Sequence, residues 1–144
     1  MRSKLLLVVV AVMFLAADQA QTDREKFQGT WIVEAATKSG KSETGEKLAH
    51  LRVVVEGDNF ILKIGDKDAE KSTITLDPAK MPKALDLQTA APATEKRPVL
   101  GIYELSGDTL KLCWRKNGKE RPTDFEPKAE DRDLVIMTLK REKK

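Results

Sequence analysis

Cysteine and histidine are almost absent from this chain of 144 residues: it has Cys113 and His50 and no others. A zinc site built from His and Cys ligands is therefore excluded, as is an internal disulfide. Aromatic residues make up only 5% of the chain, with Tyr103 the single tyrosine, so a cavity walled mainly by aromatic rings is not expected. Enzyme signatures are missing too. There is no Gly-x-Ser-x-Gly elbow, no phosphate-cradling glycine loop and no paired-cysteine motif. The spacing Asp66-x-Asp68-x-Glu70 resembles a calcium loop only superficially, because the glycine such a loop needs for its turn is lacking, and it reads as surface acidity. No catalytic residue, metal or cofactor is expected.

Long apolar runs are confined to one place. Met1-Arg-Ser-Lys4 is basic, Leu5 to Ala17 is uninterrupted apolar sequence, and small residues follow at Ala16, Ala17 and Ala20. This is the layout of a secretory signal peptide, and residues 1–20 are read as one. The run is shorter than the ~20 residues of a spanning helix, so no stable membrane span is expected after cleavage. No cysteine follows the run to take a lipid anchor. The chain is therefore expected to be periplasmic or extracellular. From 26 basic and 23 acidic side chains, removing Arg2, Lys4 and Asp18 leaves 24 and 22. Both signs are scattered, as on an ordinary solvated surface, which gives no footprint for nucleic acid.

What remains, residues 21–144, is enough for one domain. Its apolar residues alternate with a period of two: Trp31, Val33 and Ala35; Leu51, Val53 and Val55; Phe60, Leu62 and Ile64. Further strands are expected over Ser72–Leu76, Ala84–Leu87, Val99–Leu105, Thr109–Arg115 and Leu134–Arg141, with turn chemistry such as Gly57-Asp58-Asn59 and Ser106-Gly107-Asp108 between several of them. Eight short strands in succession predict an all-β antiparallel meander closed into a barrel or a tight sandwich, and closure would remove exposed strand edges. Helix should be minor, with turns over Asp23–Gln28 and Pro122–Phe125, while Lys38–Glu46 and Thr89–Pro98 read as loops.

Several longer motifs occur in a fixed order: Phe27-Gln-Gly-Thr-Trp31, Leu76-Asp-Pro, Met81-Pro-Lys-Ala-Leu-Asp86, Gly101-Ile-Tyr-Glu-Leu-Ser-Gly-Asp-Thr-Leu-Lys-Leu-Cys113, Arg121-Pro-Thr-Asp-Phe125 and Leu139-Lys-Arg141. Over roughly Lys26 to Arg141 the chain resembles the lipocalin-like domain first catalogued as a planctomycete-specific domain of unknown function. The resemblance implies a lipocalin-like barrel of about eight strands but supplies no activity. It also implies that Gly29 and Trp31 open the first strand, with the indole plugging one end and Arg141 from the last strand lying across it. A guanidinium over tryptophan is worth about 0.5–2 kcal/mol.

For function, two readings stand. In the first, the barrel is a non-enzymatic binder of a small apolar or amphipathic ligand, lined by residues such as Trp31, Val33, Leu51, Val53, Val55, Phe60, Leu62, Leu110, Leu112 and Trp114. A variant of it has Tyr103, Lys111, Arg121 and Asp86 converging on an anionic ligand at a polar mouth. The second is a side-chain-filled barrel that contacts another envelope protein. In the structural reading of the Arg121 motif, Arg121 pairs with Asp124 and Phe125 enters the barrel end. Lys111 and Arg115 flank Cys113 on one strand face and could activate the thiol, although a packed, inert cysteine is the commoner arrangement.

Overall fold

The computed structural model describes residues 19–89, 98–116 and 120–143. Residues 1–18, most of the segment read as a signal peptide (residues 1–20), and most of the Thr89–Pro98 loop lie outside them. Residues 19–27 are helical and are called α1. Nine strands follow: β1 (Gly29–Lys38), β2 (Lys41–Thr44), β3 (Leu51–Glu56), β4 (Asn59–Ile64), β5 (Lys67–Asp77), β6 (Ala84–Thr89), β7 (Val99–Ser106), β8 (Thr109–Arg115) and β9 (Leu134–Arg141). β1 and β3 to β9 pair in sequence, and β1 also pairs with β9, so eight antiparallel strands close into a lipocalin-like barrel. The expected Lys38–Glu46 loop instead contains β2, a hairpin arm on the far half of β1, and leads into a 3-10 turn over Gly45–Leu48.

Alternation explains most of the interior. Trp31, Val33, Val53, Val55, Phe60, Leu110 and Leu112 are buried in one cluster, with Leu51, Leu62 and Trp114 packed against it. Ala35 departs from the expected pattern. The β1–β9 ladder slips between Val33 and Ala35, so Glu34 is an extra residue and Ala36 is the one that packs inward.

β7, β8 and β9 are buried on both faces. Ile102, Cys113, Leu134 and Ile136 form a second apolar cluster, with Phe125 packed onto it. The connection between β8 and β9 carries Phe125, which therefore does not enter the barrel end. Within residues 122–125 only 123 and 124 form a bend, and no helical turn is present. Arg121 anchors the near part of this strap. It donates to the carbonyls of Leu85 (2.9 Å) and Gly101 (2.8 Å) and to the Asp86 carboxylate (2.7 Å). The expected Arg121–Asp124 pair is thus replaced, and Asp124 faces Lys128 instead. Gly101 is required here because a Cβ would sit 2.9 Å from the Cys113 carbonyl oxygen.

Candidate functional site

One end of the barrel is shut. Gly29 enters β1 at φ +120, a conformation side chains resist, and a Cβ there would lie 3.3 Å from the Arg141 guanidinium. That guanidinium lies 4.3 Å from the Trp31 ring centre. It also donates to the backbone carbonyls of Gln28 (2.7 Å) and Lys26. Trp31 is fully buried, and its indole N–H donates to the Phe27 carbonyl at 2.9 Å. Gly29, Trp31 and Arg141 thus meet as a plug, with α1 laid over it.

Tyr103 belongs to this shut end and not to a mouth. Its ring meets Phe27 edge to face at 5.1 Å, and its hydroxyl donates to Asp23 at 2.6 Å. Asp23, only 1% exposed, also accepts from Lys83 at 3.0 Å and, in the chain before cleavage, from Gln19 at 2.9 Å. Burial by itself raises the Asp23 pKa, but the hydrogen bonds from Tyr103, Lys83 and Gln19, together with the Lys83 charge, outweigh it and hold it below the ordinary value. For Tyr103, burial and then the neighbouring carboxylate push the phenol well above its usual range.

The four residues expected to share a polar mouth are therefore divided. Arg121 and Asp86 do meet, but on the outer wall as the strap's anchor. Lys111 is also outside, 5.7 Å from the Phe125 ring centre. Alternation is the cause: Asp86 and Lys111 stand next to the inward Leu85, Leu87, Leu110 and Leu112, so they point the other way. No anion site forms from them. His50 lies just before β3, where its carbonyl accepts from the Gly65 N–H at 2.8 Å.

Cys113 is fully buried beneath the strap. Burial raises its thiol pKa to about 11, Arg115 opposing and Asp124 and Asp131 adding to the rise. Arg115 is in any case engaged with Asp131 at 2.8 Å. A thiol held protonated and out of solvent is a poor nucleophile. Alkylation of the native protein at pH 8 should accordingly be at least about tenfold slower than in denaturant. Mass spectrometry of the quenched reaction would measure this, and equal rates would reverse the assignment.

The interior space lies toward the other end of the barrel. A cavity of about 70 Å³ is walled by Phe60, Leu62, Leu87, Val99, Trp114 and Met137. Glu70, Ser72 and Thr89 add its polar atoms. Sequence reasoning placed Phe60, Leu62 and Trp114 in the interior but missed Glu70. Glu70 alternates in phase with the inward Ser72 and Ile74 and stands opposite Leu62, while the β4–β5 slip between Leu62 and Lys63 turns Asp68 to the outer face opposite Lys63. Larger hollows lie outside the barrel, notably a cleft of about 420 Å³ between α1 and β5.

Among the described residues no group of three or more His, Cys, Asp or Glu is arranged to hold a metal ion, and no helix is long and apolar enough to cross a membrane. Set against protein-family models, curated proteins and solved structures, the chain matches none.

Proposed function

We propose that this chain is an exported, non-enzymatic binding domain of the lipocalin-like type that takes the apolar end of a small amphipathic ligand into the open end of its barrel. The carrying observation is the asymmetry of the barrel. Trp31, Arg141 and α1 fill one end, while an apolar cavity with polar atoms at Glu70, Ser72 and Thr89 lies toward the other. Ligand sites generally combine an apolar lining with a few polar groups that fix orientation. The basic start and apolar run of residues 1–17 support export.

Size limits the ligand. About 70 Å³ is roughly half of the ~150 Å³ apolar cavity that admits benzene, so a short alkyl group fits and a fatty acid does not. The test is a titration of the signal-free protein with straight-chain alcohols of two to eight carbons. Trp114 fluorescence reports the cavity, and Trp31 under Arg141 provides a constant background. Affinity should rise about fourfold per carbon, following the ~0.8 kcal/mol gained per buried methylene, and stop rising near four carbons. A signal that never saturates with any chain length would defeat the reading.

One observation favours a different class of function, an envelope-protein interaction module. The barrel interior is nearly filled, while the outside offers the larger α1–β5 cleft and Met81, which is 97% exposed. A flat alcohol titration would move the search to that surface.

A further inference from the structure

Among the described residues that line the barrel cavity, Glu70 is the only charged one. Resting on the barrel-mouth reading above, we propose that the mouth selects a positively charged amphiphile, a primary alkylammonium with a short chain, and that Glu70 is its counter-ion. The sequence run Asp66-x-Asp68-x-Glu70 is divided by the bulge in the β4–β5 ladder. Asp68 faces outward, where it is held by Lys63 and Lys71, each at 3.4 Å. Glu70 stands opposite Leu62 and two residues before the buried Ser72, on the inward face of β5. Among the described residues it has no ion-pair or hydrogen-bond partner.

Glu70 is solvent-exposed, so its carboxylate stays hydrated and charged while it borders the apolar cavity, where a cation on an alkyl chain can reach it. The neighbouring groups fit the same ligand. Ser72 and Thr89 face each other across the β5–β6 ladder, and both line the cavity. An ammonium head has three N–H donors and no acceptor. One carboxylate and two hydroxyl oxygens can accept all three, while the alkyl chain occupies the space beside Trp114 and Met137. The cations once expected to attract an anion, Arg121 and Lys111, are on the outer wall and cannot offset this field at short range.

The experiment compares n-butylammonium, n-butanol and butyrate by Trp114 fluorescence and calorimetry at low salt, on the wild type, Glu70→Gln and Asp68→Asn. The wild type should prefer butylammonium to butanol by about threefold to tenfold, as for a partly exposed charge pair, and bind butyrate more weakly than either. Glu70→Gln should level amine and alcohol, whereas Asp68→Asn should leave the preference intact. Equal binding of amine and alcohol by the wild type, or a preference that survives Glu70→Gln, overturns the charge selection and leaves the barrel-mouth reading standing. Absence of saturable binding by all three ligands overturns both.

Discussion

Trp31→Ala should destabilise the protein by about 3–5 kcal/mol, as expected for removing a fully buried large aromatic residue. Three losses combine at this position. The cavity left at the plug has no neighbour able to fill it, because Arg141 is tied to the Gln28 and Lys26 carbonyls and Phe27 is packed on Tyr103. The Phe27 carbonyl loses its indole donor. The guanidinium loses the ring beneath it, worth about 0.5–2 kcal/mol and already part of the total. Urea denaturation of the wild type and of the variant measures the difference. Arg141→Ala and the double variant then complete a cycle in which the two changes should be far from additive, since the side chains touch. A cost below about 1 kcal/mol would mean that the indole is not the plug.

The strands were legible because burial in a barrel imposes a period of two, and Val53, Val55, Leu110 and Leu112 follow it without interruption. Bulges were not legible. An added residue leaves no mark in composition, yet it reverses the face of everything beyond it, and that is why Ala36 rather than Ala35 points inward and why Asp68 does not share the face of Glu70. The strap was half legible. Consecutive apolar residues such as Leu134-Val135-Ile136 and Ile102-Tyr103 are the mark of strands covered on both sides. Nothing local, however, reveals that Phe125 provides part of the second cover. Arg121 and Asp86 meet, but as an outer anchor instead of part of a polar mouth, and no local pattern tells the two apart without the parity of Asp86 on β6. Asp23 carried no signal, since its partners Lys83 and Tyr103 are 60 and 80 residues away.

The same reasoning explains why so small a domain needs no disulfide. Its apolar residues fill the barrel and a second layer beneath the strap, and the ends of the chain are fastened to each other. Arg141 near the C-terminal end holds carbonyls of Lys26 and Gln28, and the Glu142 N–H donates to the Thr30 carbonyl at 2.9 Å. The ring of strands is thereby closed where a sheet edge would otherwise be exposed. The closing contacts use up Trp31, Arg141 and Tyr103, so the plug is built from residues other than those lining the cavity beside Trp114.

Asp23 is the second position where a single change should be costly. Asp23→Ala should destabilise by about 2–4 kcal/mol, somewhat less than breaking a fully buried ion pair because Lys83 is 37% exposed. The loss has a specific cause: the Tyr103 hydroxyl, buried against α1, would have no acceptor, and a buried unmet donor is expensive. Tyr103→Phe removes the donor along with its need and should cost only about 1–2 kcal/mol. In the Tyr103→Phe background, Asp23→Ala should cost less than it does alone. The pH dependence follows from the depressed pKa. The stabilisation by the Asp23 carboxylate is complete above its ordinary value of 3.8, and it is lost as pH falls through the lower folded value. Acid should thus loosen the Asp23 contact between α1 and the barrel before the strands separate, because this tie titrates while the bonds from Trp31 and Arg141 to the Phe27 and Lys26 carbonyls do not. Hydrogen exchange followed from pH 6 down to pH 2.5, with rates corrected for intrinsic pH dependence, would show protection lost first over residues 23–27. In Asp23→Asn those residues should be less protected already at pH 6 and change little with acid. Simultaneous loss across α1 and β1 in the wild type would show that helix and barrel open as one unit and that the Asp23 carboxylate does not set the stability of α1 by itself.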